Sequence, residues 1–159
     1  MLISTTVSTT YPANAAKAYE AISRDGADLT KIMKGYGMIS GVSGVKMLTN
    51  GEWGKPDAKR IVYMEDGNSA IDHILEVNKP HFFSYEIIQL TSVFKYLIKR
   101  VCGQWNFDEE GSNTKVSWTY SLEPKSIFFV PLLYVISKLM IRPFLQNTLR
   151  RIRELSQSN

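Results

Sequence analysis

The last third of the chain combines a long hairpin with a long helix, and this combination limits the possible folds more than any other feature. On either side of the turn-forming cluster 108–113, residues 104–107 and 114–120 alternate apolar and polar side chains, which is typical of two antiparallel strands with one buried face. Residues 126–157 follow directly and are predicted to form a helix that is apolar at its start and basic toward its end. A strongly curved sheet that grips such a helix encloses apolar space, which suggests a binding site for a small molecule.

Upstream of the hairpin, the sequence predicts a first strand, two short helices and a meander of four strands. Residues 2–9 are rich in β-branched side chains, and Asn14 and Asp28 are each suited to cap the helix that follows them. The predicted strands of the meander are 45–49, 59–65, 69–77 and 82–90. We therefore predict a single α+β domain over residues 1–159, in which a curved antiparallel sheet of about seven strands wraps around a long C-terminal helix.

Composition places the chain among globular proteins and disfavours one class of partner. Hydrophobic residues make up 44% of the chain and charged residues 21%, as expected for a protein with a real core. Part of the net charge of +4 comes from arginines near the end of the final helix, at positions 142, 150, 151 and 153. Such a cluster can complement the helix dipole or contact lipid phosphates. Because no aromatic platform interleaves it, we expect no nucleic-acid partner.

The sequence lacks the motifs of metal, nucleotide and covalent chemistry. Cys102 is the one cysteine, so neither an intramolecular disulfide nor a cysteine metal cluster can form. His73 and His81 lack metal-ligand spacing, and no serine lies in a GxSxG elbow. We therefore predict no metal, no cofactor and no catalytic residue.

The chain also lacks clear targeting signals. Its N-terminus has neither the basic nor the apolar region of a signal peptide, and its most apolar stretch, 127–136, has about half of the ~20 residues that a membrane span requires. We expect a cytoplasmic protein without a transmembrane helix.

Local sequence resembles a known superfamily along nearly the whole chain. Residues 45–67, 71–80 and 84–85 resemble the central strands of the START/Bet v 1-like (SRPBCC) superfamily, and residues 103–116 resemble its late hairpin. Within it, the chain is similar to the small bacterial proteins grouped as polyketide cyclase/dehydrase-like. The resemblance implies a helix-grip fold. It does not select a function, since members include lipid carriers, hormone receptors and aromatase/cyclases.

The inward face of the sheet and the start of the helix supply the candidate ligand-binding residues. Alternation in the hairpin points Phe107 and Val116 inward together with several larger aromatic side chains. These residues either fill a core or line a cavity of roughly 300–1,000 Å³, the usual size of a ligand pocket. Trp53, flanked by glycines, is the candidate lid. The candidate lining residues are Tyr63, Asp72, His73, Tyr85, Trp105, Trp118, Tyr120, Phe129, Leu133 and Ile136.

Asp72 and His73 cannot both point into the cavity, because adjacent strand residues face opposite sides of a sheet. The apolar residues Ile71, Leu75 and Val77 favour His73 on the inside, whereas the resemblance favours an inward acid at Asp72. An inward carboxylate beside tyrosines can orient the polar end of a ligand or, with a raised pKa, take part in acid–base chemistry. The sequence leaves this choice open.

Three functional hypotheses follow. The first is a carrier or sensor of a hydrophobic or amphipathic small molecule that is lipid-like, quinone-like or aromatic polyketide-like. The second is a cyclase or hydratase acting in the same cavity. The third is a peripheral membrane or partner-binding module, with Phe94, Tyr96 and Phe128 as anchors beside basic residues. The simpler explanation of these apolar segments is that they pack against each other or form a homodimer contact.

Overall fold

In the computed structural model, which describes residues 1–23 and 29–157, seven antiparallel strands form one curved sheet. The strands are β1 Ile3–Tyr11, β2 Val42–Met47, β3 Lys59–Met64, β4 Ser69–Asn78, β5 Phe82–Ile88, β6 Ile98–Glu110 and β7 Asn113–Pro124. Their order in the sheet is β1-β7-β6-β5-β4-β3-β2. The predicted α+β helix-grip fold with about seven strands is confirmed.

The helices occupy the predicted places. α1 Ala15–Ile22 and α2 Leu29–Ile32 follow β1, and the C-terminal helix comprises α3 Val130–Ile136 and α4 Arg142–Gln157. Asn14 caps α1, since its side chain accepts a hydrogen bond from the Lys17 amide at 3.0 Å. The cap predicted at Asp28 lies outside the described residues. Short 3₁₀ turns, Val93–Tyr96 and Ile127–Phe129, precede β6 and α3.

A π-helical turn, Ser137–Ile141, joins α3 to α4 just before Pro143. The Arg142 amide donates to the Ser137 carbonyl, one residue further back than in an α-helix. Because proline has no amide hydrogen, an irregularity in this region disrupts fewer regular hydrogen bonds than it would elsewhere. The turn directs Ser137 inward, where its buried hydroxyl is hydrogen-bonded to that of Thr5 on β1.

An aromatic layer fills one end of the space between the sheet and α4. Trp105 and Trp118, which are direct partners across β6 and β7, stack with ring centroids 4.4 Å apart. Phe83, Phe107 and Tyr19 extend this layer with centroid distances of 5.2 to 6.2 Å. Such stacked and tilted pairs stabilise a core beyond the area that they bury. The rest of the space is less completely filled and holds the candidate site.

Candidate ligand cavity

Two adjoining cavities lie between the inner face of the sheet and the C-terminal helix. The first lobe has a volume of about 120 Å³ and the second about 100 Å³. Both lobes are smaller than the predicted range of roughly 300–1,000 Å³, because the aromatic layer occupies much of the cup. The side chains that line both lobes are Ile39, Ser40, Met64, Ala70, Ile87, Tyr120 and Phe144.

The first lobe is apolar except at one end, where a buried ion pair lies. Arg60 on β3 and Asp72 on β4 are directly paired in the sheet, and Arg60 Nε donates to Asp72 Oδ2 at 3.2 Å. Their side chains retain 7% and 11% of their accessible surface. Arg60 lies on the same inward face of β3 as Val62 and Met64. Asp72 likewise shares the inward face of β4 with Ala70. The pair therefore follows from the phase of two neighbouring strands.

A β-bulge resolves the choice between Asp72 and His73. The register of β4 against β5 shifts between Ile74 and Glu76, so that Ala70, Asp72 and Ile74 are buried before the bulge. After it, Val77 packs against the core and Leu75 is exposed. The apolar pattern that favoured an inward His73 joins Ile71, before the bulge, to Val77, after it. These two residues face opposite sides of the sheet, so the pattern does not define one face.

His73 points away from the cavity, so its prediction as a lining residue was wrong. Its Nδ1 lies 3.0 Å from Glu86 Oε1, and its Nε2 lies 3.4 Å from Asp57 Oδ1. Glu86 also accepts from Arg100 Nη1 at 2.9 Å, while Arg100 Nε donates to Glu123 at 2.6 Å. These groups form a polar network on the outer face of the sheet.

Tyr85 lies flat over the backbone of Gly103, its direct partner on β6. A Cβ atom at position 103 would lie 2.0 Å from Tyr85 Cζ, so only glycine leaves room for the ring. The Tyr85 hydroxyl accepts a hydrogen bond from Trp118 Nε1 at 2.9 Å. Tyr85 therefore has a fixed position between the aromatic layer and the ion pair.

Burial changes the acidity of the polar groups that line the cavity. It raises the pKa of Asp72 above its usual range, although the Arg60 guanidinium opposes this shift. The pKa of Tyr85 is raised well above its usual value, chiefly by burial and further by Tyr120 and Asp72. The pKa of Tyr120 is raised too, mainly by burial and to a smaller extent by the charge of Asp72. Both phenols therefore resist ionisation even above neutral pH, and each has a proton that it can donate to a ligand.

Trp53, the predicted lid, lines the first lobe beside the ion pair. The Arg60 guanidinium carbon lies 3.7 Å from the centroid of the Trp53 ring, which is a cation–π contact. Trp53 belongs to the segment between β2 and β3, with Gly51 and Gly54 at positive φ. Its movement as a lid stays a prediction.

The remaining predicted residues fall in three places. Trp105, Trp118 and Tyr120 line the first lobe, and Leu133 and Ile136 line the second. Phe129 packs against the core outside both lobes, so its prediction as a lining residue was wrong. Tyr63, 41% exposed, points to the outer face of β3, so its prediction as a lining residue was wrong. The binding roles of the residues that line the lobes stay predictions.

Sequence reasoning missed the most polar residue of the cavity, Arg60. The sequence contained a signal for an inward Arg60, because Arg60, Val62 and Met64 are every second residue of β3 and so share one face. An inward carboxylate at Asp72 also calls for a cationic partner, since a buried charge without one is costly. Among residues 1–23 and 29–157, no group of three or more His, Cys, Asp or Glu side chains could hold a metal ion.

One family model matches almost the whole chain. Residues 3–157 match the family described as polyketide cyclase/dehydrase and lipid transport. The chain belongs to this family. Its fold is that of the START/Bet v 1-like superfamily, as the sequence resemblance implied. A comparison with curated proteins gives no match.

Solved structures similar to this family member share its fold at low sequence identity. The crystal structure of Ara h 8.0201 has a TM-score of 0.76 and 16% identity, with all of both chains covered. A norcoclaurine synthase point mutant from Thalictrum, in complex with a transition-state analogue, has a TM-score of 0.74 and 11% identity over 99% of this chain and 96% of that one. The major latex-like protein 151 from Panax ginseng has a TM-score of 0.68 and 16% identity, with 96% of each chain covered. These likenesses establish the fold, and the ligand has to be inferred from the cavity itself.

Proposed function

We propose that this protein is a carrier or sensor that binds an amphipathic small molecule in the two adjoining lobes. The observation that carries the proposal is a mainly apolar pair of lobes, the first of which contains the buried polar groups of Arg60, Asp72, Tyr85 and Tyr120. Such a lining buries the body of a ligand and orients its head. The family description, which names lipid transport, supports this class of function. Lipid-like, quinone-like and aromatic polyketide-like molecules all have the required shape.

The polar groups favour binding over catalysis. Asp72, the one carboxylate among the described residues that line the first lobe, already accepts from Arg60. Burial raises the pKa of both phenols of this lobe, which makes their ionised, basic form still harder to populate at neutral pH. A cyclase or hydratase needs a free base that faces the ligand. The cavity therefore offers orientation of a ligand more readily than removal of a proton.

Filling the junction of the lobes is expected to abolish binding. Ala70 lines both lobes and is 4% exposed, so the added side chain of Ala70→Leu would occupy the shared space. We expect affinity for a neutral apolar fluorescent probe, N-phenyl-naphthylamine, to fall at least tenfold, with overpacking costing about 1–3 kcal/mol of stability. Probe titration measures the affinity, and native mass spectrometry of freshly purified protein measures retention of any co-purified ligand.

Ile71→Phe is the matched control, because it adds volume on the opposite face of the same strand. It should bind the probe as the wild type does. If Ala70→Leu bound the probe with wild-type affinity, the lobes would be ordinary packing voids and the proposal would be wrong.

A second candidate function, docking to an anionic membrane, rests on the outward side of the C-terminal helix. Phe128, Leu132, Val135 and Leu139 recur at i, i+4, i+7 and i+11 and are 88%, 48%, 49% and 66% exposed. We call these four residues the apolar stripe. Leu133, Ile136 and Phe144 are buried and line the second lobe. The helix is thus apolar on two sides, and an exposed apolar surface of this kind marks an interaction site.

By length and composition alone, the helical stretch Ile127–Gln157 could cross a membrane, although we expected no transmembrane helix from the sequence. Its most apolar window of 18 residues has a mean hydropathy of 1.7, yet only 28% of that window is buried in the fold. The buried part contacts the sheet and belongs to the core. We therefore propose that the exposed part lies on a bilayer and does not span it.

Basic side chains flank the apolar stripe and indicate an anionic surface. Lys138 and Arg142 are exposed along this helix, and Lys125 is exposed just before it. The Lys125 amide donates to the Leu97 carbonyl at 2.9 Å, which brings Tyr96, 65% exposed, close to the start of the helix. Anionic lipids attract such a cluster by about 1 kcal/mol for each basic residue near the surface.

The aromatic anchors predicted from the sequence divide into two groups. Tyr96 and Phe128 are exposed beside the basic residues, as a membrane contact requires. Phe94 instead packs against the core and lines the second lobe, so its prediction as an anchor was wrong. Phe94 and Tyr96 are two residues apart in a 3₁₀ turn, which has three residues per turn, so their side chains point in different directions.

A charge placed on the apolar stripe is expected to prevent membrane binding. The wild type should float with vesicles of phosphatidylcholine and phosphatidylglycerol, and binding should weaken as salt screens the basic residues. Phe128→Glu should remain in the soluble fraction. Leu48→Glu, at a residue 50% exposed beyond the end of β2, serves as the control and should float normally. A wild type that forms dimers and does not float would show that the stripe joins two copies of the chain, and would contradict membrane docking.

A further inference from the structure

The polar groups of the first lobe include a buried hydrogen-bond donor without a partner. Arg60 donates through Nε to Asp72, but its buried Nη1 has no hydrogen-bond partner. The arginine side chain retains only 7% of its accessible surface, so bulk water does not reach this nitrogen freely. Leaving a buried donor unpaired costs free energy, and a charged donor costs more than a neutral one.

Two phenols can supply further donors beside Arg60. The Tyr85 hydroxyl accepts from Trp118 Nε1 at 2.9 Å, so its own proton remains available to a ligand. Tyr120 lines both lobes, including the one that contains Arg60 and Asp72. Among the described residues that line this lobe, Asp72 is the one carboxylate, and its Oδ2 already accepts from Arg60. A ligand that pairs the buried Arg60 Nη1 must supply an acceptor, such as an oxygen atom.

The charge balance restricts that acceptor further. Arg60 and Asp72 form a buried pair of opposite charges, so a ligand carboxylate would add an uncompensated negative charge beside Asp72. Burying such a charge is far more costly than burying a neutral polar group. A plain hydrocarbon would leave Arg60 Nη1 unpaired.

We propose that the cavity selects a neutral carbonyl compound of the ketone or quinone type, whose oxygen accepts from Arg60 Nη1 at the polar end while its apolar body fills the lobes. The inference rests on the proposed binding function and deepens it, since it names the chemical class of the ligand. Arg60 is the residue that determines this specificity. The hydroxyls of Tyr85 and Tyr120 are the further donors available to the same oxygen.

Three probes of similar shape test the proposal: acetonaphthone, ethylnaphthalene and naphthoate. Isothermal titration with the full-length protein should give acetonaphthone an affinity about tenfold or more above those of the other two, the ratio expected for a hydrogen bond to a charged donor. Arg60→Met should reduce the preference for acetonaphthone over ethylnaphthalene to within about twofold, with the Kd of ethylnaphthalene unchanged. Arg100→Met, which removes an arginine from the outer face, should keep the wild-type preference.

A double variant keeps the test decisive if Arg60→Met fails to fold. Arg60→Met combined with Asp72→Val leaves no buried charge, and it should also bind acetonaphthone and ethylnaphthalene about equally. Equal binding of these two probes to the wild type, or tightest binding of naphthoate, would overturn the inference while leaving the carrier function intact. Failure of the wild type to bind any of the three would contradict both.

Discussion

Replacing Asp72 by alanine is expected to lower the free energy of unfolding by about 3–5 kcal/mol, because the substitution leaves Arg60 as an uncompensated buried charge. Among the described residues, Arg60 has one ionic contact, with Asp72 Oδ2 at 3.2 Å, and its guanidinium also lies against the Trp53 ring. The ring attracts a cation but cannot replace a carboxylate. Urea unfolding followed by circular dichroism measures the change.

The combined Arg60→Met and Asp72→Val substitution provides the control for this prediction. It removes both charges together and should recover most of the lost stability, since apolar replacements of a buried ion pair are often neutral or stabilising. A double variant as unstable as Asp72→Ala would show that the cost arises from lost packing, and would contradict an electrostatic origin.

Replacing Gly103 by alanine is expected to cost about 3 kcal/mol or more. The new methyl group would lie 2.0 Å from Tyr85 Cζ and 2.5 Å from its hydroxyl oxygen, so the ring must move. Overpacking of this kind costs about 1–3 kcal/mol. Moving Tyr85 also removes the acceptor of Trp118 Nε1 and leaves a buried donor unpaired, at a further cost of about 1–3 kcal/mol. Thermal and urea unfolding measure the total.

Gly44→Ala is the matched control for Gly103→Ala. Gly44 also lies in a strand, yet a Cβ atom there would meet nothing within 4 Å, so the free energy of unfolding should change by no more than about 0.5 kcal/mol. Adding Tyr85→Ala to Gly103→Ala should relieve the clash and give a total effect smaller than the sum of the two single effects. Strict additivity of the two substitutions would mean that the ring does not limit residue 103.

The hairpin and the C-terminal helix were predictable because their patterns are long and regular. Period-two alternation extends through Trp105, Phe107, Val116 and Trp118, and no bulge interrupts the pairing of these residues. The phase of β4 was not predictable in the same way. The bulge after Ile74 changes which residues face inward, and no turn residue or glycine marks it in the sequence.

Arg60 and the cavity volume show a second limit of sequence reasoning. An arginine in a strand is ordinarily assigned to the outer face, because this side chain is rarely buried without a partner. Its partner became evident only from the pairing of β3 with β4. The volume depends on how far the rings of Phe83, Trp105 and Trp118 fill the cup, which composition does not determine.

The stacked pair Trp105 and Trp118 gives this protein a built-in optical reporter. Their rings lie 4.4 Å apart and 14° from parallel, close enough for the electronic transitions of the two indoles to couple. Both indoles line the first lobe, so a bound molecule changes the polarity around them directly. Filling of the lobe is therefore readable, without any label, from the near-ultraviolet circular dichroism and the emission wavelength of the native chain.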